Sequence, residues 1–155
     1  MRKLGFLFGI VLIVLISGCK SKDKQKVSDS GNSTVISPEL MEQEKLNARN
    51  VCETWVKVID SRNFIYAYQQ TSLYFKATVP ETDWKKFTDS LDVFGSNIKR
   101  EFRSAEYFQG SAENKIFEYI VCKFNSSFTK KTVAVETISV IREANQWKLM
   151  GYFID

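Results

Sequence analysis

The last two dozen residues constrain this chain most. Thr132 to Asp155 reads TVAVETISVIREANQWKLMGYFID, two apolar runs divided by one polar break, Glu143-Ala144-Asn145-Gln146. Val133, Val135, Ile138, Val140 and Ile141 are β-branched and suit a pleated, half-buried surface. Trp147, Leu149, Met150, Tyr152, Phe153 and Ile154 resume the apolar run. The pattern predicts a β-hairpin that closes a sheet. The turn has no glycine, so Asn145 is the residue expected at positive φ. The first of the two strands breaks its rhythm: Val133 and Val135 fall on one parity, Ile138 and Val140 on the other. A bulge near Glu136-Thr137 would reconcile them and bend the sheet. The alternative is half-burial of both faces.

Upstream, helices precede strands. Ser37-Pro38 marks a helix start, with Ser37 as the cap and Pro38 at the first helical position. Ala48, Val51, Cys52, Trp55, Val58 and Ile59 recur at steps of three and four, which predicts one helix over 38–60. Asn63 caps a short second helix over 64–70. Leu73 to Val79 is an apolar connection whose state the pattern leaves open. Pro80 opens a third helix, with Trp84, Phe87, Leu91 and Phe94 as its core face and Gly95 as its stop. A strand over 97–108, a turn over 109–114 and a second strand over 115–128 follow. Ile116, Phe117, Tyr119, Ile120, Val121 and Cys122 in that second strand predict cover on both faces.

Composition closes off several functions. Arg2, Lys3, Lys20, Lys22, Lys24 and Lys26 precede Pro38, as do Asp23 and Asp29. From Pro38 onward 16 Lys+Arg face 16 Asp+Glu, so the region lacks the basic stripe that nucleic acid needs. The chain has no histidine, which removes the commonest general base and metal ligand near neutral pH. Cys19, Cys52 and Cys122 have no CxxC spacing, and no metal or cofactor is expected. Cys52 and Cys122 sit in apolar stretches and are expected as buried free thiols rather than a disulfide.

The first 18 residues read as a secretion signal: Arg2 and Lys3, then an apolar run from Leu4 to Ile16. Leu15-Ile16-Ser17-Gly18-Cys19 resembles a bacterial lipobox. That resemblance implies a diacylglyceryl group on the Cys19 thiol and cleavage before it. Residues 19–37 are polar and have too little apolar surface to fold. Past the cysteine they make a tether of about 18 residues, spanning up to roughly 60 Å. Residues 38–155 form one domain.

Helices followed by four antiparallel strands predict an α+β domain, three helices packed on a curved four-stranded sheet. This looks like the cystatin-like cone of ketosteroid isomerase and nuclear transport factor two. More narrowly, residues 38–155 resemble the secreted bacterial family called domain of unknown function 4019. The resemblance rests on Trp55-Val56, Leu73-Tyr74-Phe75-Lys76, Trp84, Arg103-Ser104-Ala105, Val135-Glu136-Thr137-Ile138 and Trp147 to Ile154. It implies a fold and supplies no activity.

The expected function is a membrane-anchored binding or interaction module of the envelope, meeting a small molecule or an envelope protein. Candidate lining residues are Tyr66, Tyr68, Arg103, Tyr119, Glu136 and Tyr152. The tyrosines have a plainer reading as core rings with hydroxyls at the rim. Glu136 has one as an exposed strand residue, or as a partner of Arg103 across the sheet. Two alternatives stand beside this. One is an acid–base enzyme built on a carboxylate in a dry pocket. The other is a structural lipoprotein, for which exposed aromatics in one patch would speak.

Overall fold

The computed structural model describes residues 37–112 and 115–155. The signal segment, Cys19 and the tether up to residue 36 lie outside the described residues.

Helix α1 (Pro38–Asp60) has the predicted bounds, with Pro38 in its first turn. Ser37 Oγ accepts from the Leu40 amide at 3.2 Å, which satisfies one of the free N–H groups of the first turn. Its buried stripe is Ala48, Cys52, Trp55, Val56 and Ile59. Helix α2 (Phe64–Gln69) is capped by the Asn63 side chain, 3.3 Å from the Tyr66 amide.

The helices number four among the described residues, not the three expected. The open stretch forms α3 (Leu73–Thr78), capped by Ser72 Oγ at 3.0 Å from the Phe75 amide. Phe75 is its one buried residue while Leu73 and Tyr74 are exposed. Six residues with one buried side chain have no period to read. Pro80 then stands at the N-cap of α4 (Glu81–Ser90), and a short 3-10 turn over Leu91–Val93 follows. Gly95 takes φ +76°. A Cβ there would also strike Thr129 Oγ1, so both backbone and space require glycine.

Strands β1 (Asn97–Ala112), β2 (Lys115–Phe128), β3 (Lys131–Glu143) and β4 (Gln146–Ile154) form an antiparallel sheet in sequence order. β1 runs four residues past its expected end. Gly110 pairs with Phe117, whose ring occupies the space a side chain at 110 would need. The glycine therefore belongs to the strand and not to a turn.

Two expectations about sheet faces are corrected. On β2, Ile120, Cys122, Phe124, Ser126 and Phe128 are buried, while Ile116 is exposed and Tyr119 and Val121 are half-buried. One face is covered by helices, not both. On β3, Ala134, Glu136, Ile138 and Val140 are buried in unbroken alternation. No bulge occurs at Glu136-Thr137, since Glu136 pairs with Ile154 and Thr137 with Phe153 in sequence. Val133 and Val135 simply belong to the outer face. The shifts fall elsewhere: between Ser139 and Val140 against β4, between Ser126 and Phe128 on β2 against β3, and at Asn97–Lys99 and Phe102–Ser104 on β1.

The hairpin turn is Ala144-Asn145, both at positive φ (49° and 61°). This is the two-residue turn whose twist matches that of the strands. Between helices and sheet the aromatic core gathers Trp55, Tyr68, Phe75 and Trp84. The indoles are satisfied there: Trp55 donates to the Ala67 carbonyl at 3.0 Å and Trp84 to that of Phe64 at 2.9 Å. Cys52 and Cys122 are buried free thiols. Among the described residues no helix is long and apolar enough to cross a membrane.

Candidate functional site

Glu136 is the centre of a buried ionic cluster. Its place follows from β3 alternation, which puts it in phase with Ile138 and Val140 and gives it no exposure to solvent. A carboxylate there is tolerable only with partners. Arg100 Nε donates to Oε2 at 2.6 Å and Nη2 to Oε1 at 3.0 Å. Ser126 Oγ also donates to Oε2, and the Tyr152 hydroxyl to Oε1. The other edge of the same guanidinium grips Asp60, the last residue of α1, at 2.7 and 3.1 Å. Helix α1 and all four strands each contribute one residue.

An ionised carboxylate has about four lone-pair sites. Here each oxygen receives two donors, so Glu136 has no free site with which to take a substrate proton. Burial pulls the Arg100 pKa down, but the hydrogen bonds and charges of Asp60 and Glu136 outweigh it and hold the guanidinium charged. Burial, then the charge and hydrogen bond of Glu136, push the Tyr152 phenol well above its ordinary value. The cavity beside Tyr152 and Asp60 measures about 40 Å³, room for little more than water.

A second cluster, which the sequence reading missed, repeats the plan further along α1. Arg142 of β3 lies 2.5 Å from Glu44 of α1 and 3.1 Å from Glu118 of β2. Tyr107 of β1 donates to Glu118 at 2.7 Å, and the Trp147 indole of β4 donates to Glu44 at 2.7 Å. The guanidinium sits 4.5 Å over the Trp147 ring. Arg142 Nε is buried with no well-aligned hydrogen bond. Burial, then Glu118, push the Tyr107 phenol up to about 12.

Beside this second cluster opens a cleft of about 640 Å³ between α1, α2 and the β3–β4 hairpin. Asn47, Asn50, Thr54, Tyr66, Gln70, Asn145, Gln146 and Lys148 line it. Asn47 accepts from Gln43 at 3.1 Å; Asn50, Gln70, Asn145 and Gln146 are exposed. Among the described residues no group of three or more His, Cys, Asp or Glu side chains is placed to hold a metal ion.

The six residues expected around one site divide. Glu136 and Tyr152 meet directly. Tyr66 lines the cleft, 46% exposed. Tyr68 is a core ring whose hydroxyl donates to the Val79 carbonyl at 2.8 Å. Tyr119 lies on the outer sheet face, stacked on Phe108 at 5.0 Å. Arg103 is exposed at the β1 irregularity. The partner of Glu136 is Arg100, three residues earlier, because the shift after Phe102 places Arg100 on the helix-covered face. Asp60 and Ser126 were missed as well; a helix-terminal aspartate and a strand serine have no pattern that distinguishes them from surface residues.

A family model described as "Protein of unknown function (DUF4019)" matches residues 51–152. No curated protein and no solved structure matches the chain. The matched span contains every member of the Glu136 cluster and omits Glu44 of the second.

Proposed function

The chain belongs to this DUF4019 family of proteins of unknown function, and within it we propose a non-catalytic interaction module held at the bacterial envelope by lipid on Cys19. One observation carries the non-catalytic half. Glu136, the carboxylate best placed by sequence for acid–base work, has its lone pairs taken by Arg100, Ser126 and Tyr152. The cleft of about 640 Å³ lies elsewhere, and its amides can donate and accept hydrogen bonds. The anchoring half rests on Leu15-Ile16-Ser17-Gly18-Cys19 and on the polar stretch after it. Two or more acyl chains hold a protein on a bilayer far more firmly than one. The cone-shaped fold is part of the same reading, supported by helices on one face of a sheet in sequential order.

A specific observation favours a second reading, a structural lipoprotein packed into an assembly. The outer sheet face leaves Phe153 57% and Val133 80% exposed. Photo-reactive residues placed in cells at Tyr66 and at Phe153 separate the two. An adduct from Tyr66 alone supports the cleft, and one from Phe153 alone supports the assembly surface. Neither position giving an adduct would remove the interaction reading. For the anchor, wild type is expected to label with palmitate and enter the detergent phase. Labelling of Cys19→Ala would sink it.

A further inference from the structure

We infer that the cleft takes a short extended peptide, added as a strand to the β4 edge; this rests on the interaction reading above and names its occupant.

β4 is an edge strand, with β3 on one side. Glu143 and Gln146 flank a two-residue turn and so exchange both ladder hydrogen bonds. Alternation makes Arg142–Trp147 a non-bonded pair, which turns the Trp147 N–H and C=O away from β3. The far end of the ladder gives the same parity. Val135 and Asp155 exchange bonds at 3.2 and 3.0 Å, and the one irregularity lies between Ser139 and Val140. The next outward residue, Leu149, confirms it: its carbonyl accepts from the Ser72 amide at 2.8 Å, beside the parallel bridge from Thr71.

The chain thus already adds one strand residue to this edge. Before Thr71 it coils into α2, so at Trp147 the edge opens into the cleft. The facing wall is α1, which presents Asn47, Asn50 and Thr54 at helical spacing, with Gln70 at the end of the slot. Side-chain amides offer donor and acceptor together, as a peptide backbone requires. Edge pairing supplies affinity through the main chain, and the flanking walls supply selectivity. The slot from Gln146 to Lys148 takes a peptide of about three or four residues at roughly 3.3 Å each.

The test begins with a linear peptide library displayed on phage and selected against the full-length protein, with Asn50→Arg as the counter-target. An enriched peptide is expected to slow hydrogen exchange at the Trp147 backbone amide. N-methylation of its edge-facing nitrogen should weaken binding at least tenfold, and Asn50→Arg should abolish binding without changing Tm. No enrichment over Asn50→Arg overturns the inference. So does binding that leaves the Trp147 amide exchanging freely, or a neutral oligosaccharide such as maltohexaose that displaces the peptide and binds more tightly. A Tyr66 adduct in cells together with a failed selection removes the peptide and leaves the interaction module standing.

Discussion

The two arginine clusters along α1 follow one plan and differ in how completely it is carried out. Each takes one residue from α1 and one from every strand, and each sets one guanidinium between two carboxylates. Arg100 spends both edges of its fork, with side-chain exposure of 11% against 0% for Glu136. Arg142 lies at 26% exposure with one buried N–H poorly aligned. Fork geometry is what makes such a pair strong. The inner cluster is therefore a fastener, tying the end of the first helix to the whole width of the sheet. The outer one is a looser wall beside the cleft, which Glu44, Arg142 and Trp147 line.

If this contrast is right, Arg100→Met should be the most damaging change. It strands the buried Glu136 charge and should cost about 3–5 kcal/mol. Urea unfolding measures this, and a loss below about 1 kcal/mol would break the distinction between the clusters. Glu136→Gln should cost about 1–3 kcal/mol. It keeps the shape but presents an amide donor to a ring of donors, while Asp60 still balances Arg100.

Alkaline titration sharpens the picture of the outer cluster. The Tyr107 phenol, ordinarily near 10.0, is raised to about 12 by burial and Glu118. The folded state holds this proton more tightly than the unfolded state does. The resulting stabilisation is intact below about pH 10 and is lost as the pH climbs toward 12. Phenolate absorbance should show one ionisation near 12 that Tyr107→Phe lacks; its persistence in the variant would assign it elsewhere. The smallest effect is expected for Arg142→Lys. Its cation can stay near Glu44, so the loss should be within about 1 kcal/mol. A loss matching that of Arg100→Met would make the two clusters equivalent.

Glu136 shows how far sequence reached. Its position between Val135 and Ile138 singled it out, and its need for a partner followed from burial. The partner itself was misread. Arg103 lies in a recognisable motif, but a one-residue irregularity after Phe102 reverses which side chains share a face. The same arithmetic explains β3, where valines on the wrong parity suggested a bulge that is absent. Period-two patterns report a face only when the other face is polar, and the outer face here is not.

Sequence by itself determined the α+β order, the bounds of α1, the caps at Ser37 and Asn63, the glycine at 95 and the turn residue Asn145. These are local: each depends on the steric and hydrogen-bonding habits of a few neighbouring residues. Only the tertiary structure decided that Arg100 serves Glu136, that Arg142 reaches Glu44 and that the edge of β4 opens beside Asn50. These depend on register and on the packing of α1 against β4. Such contacts join residues tens of positions apart, where no chain period carries the information.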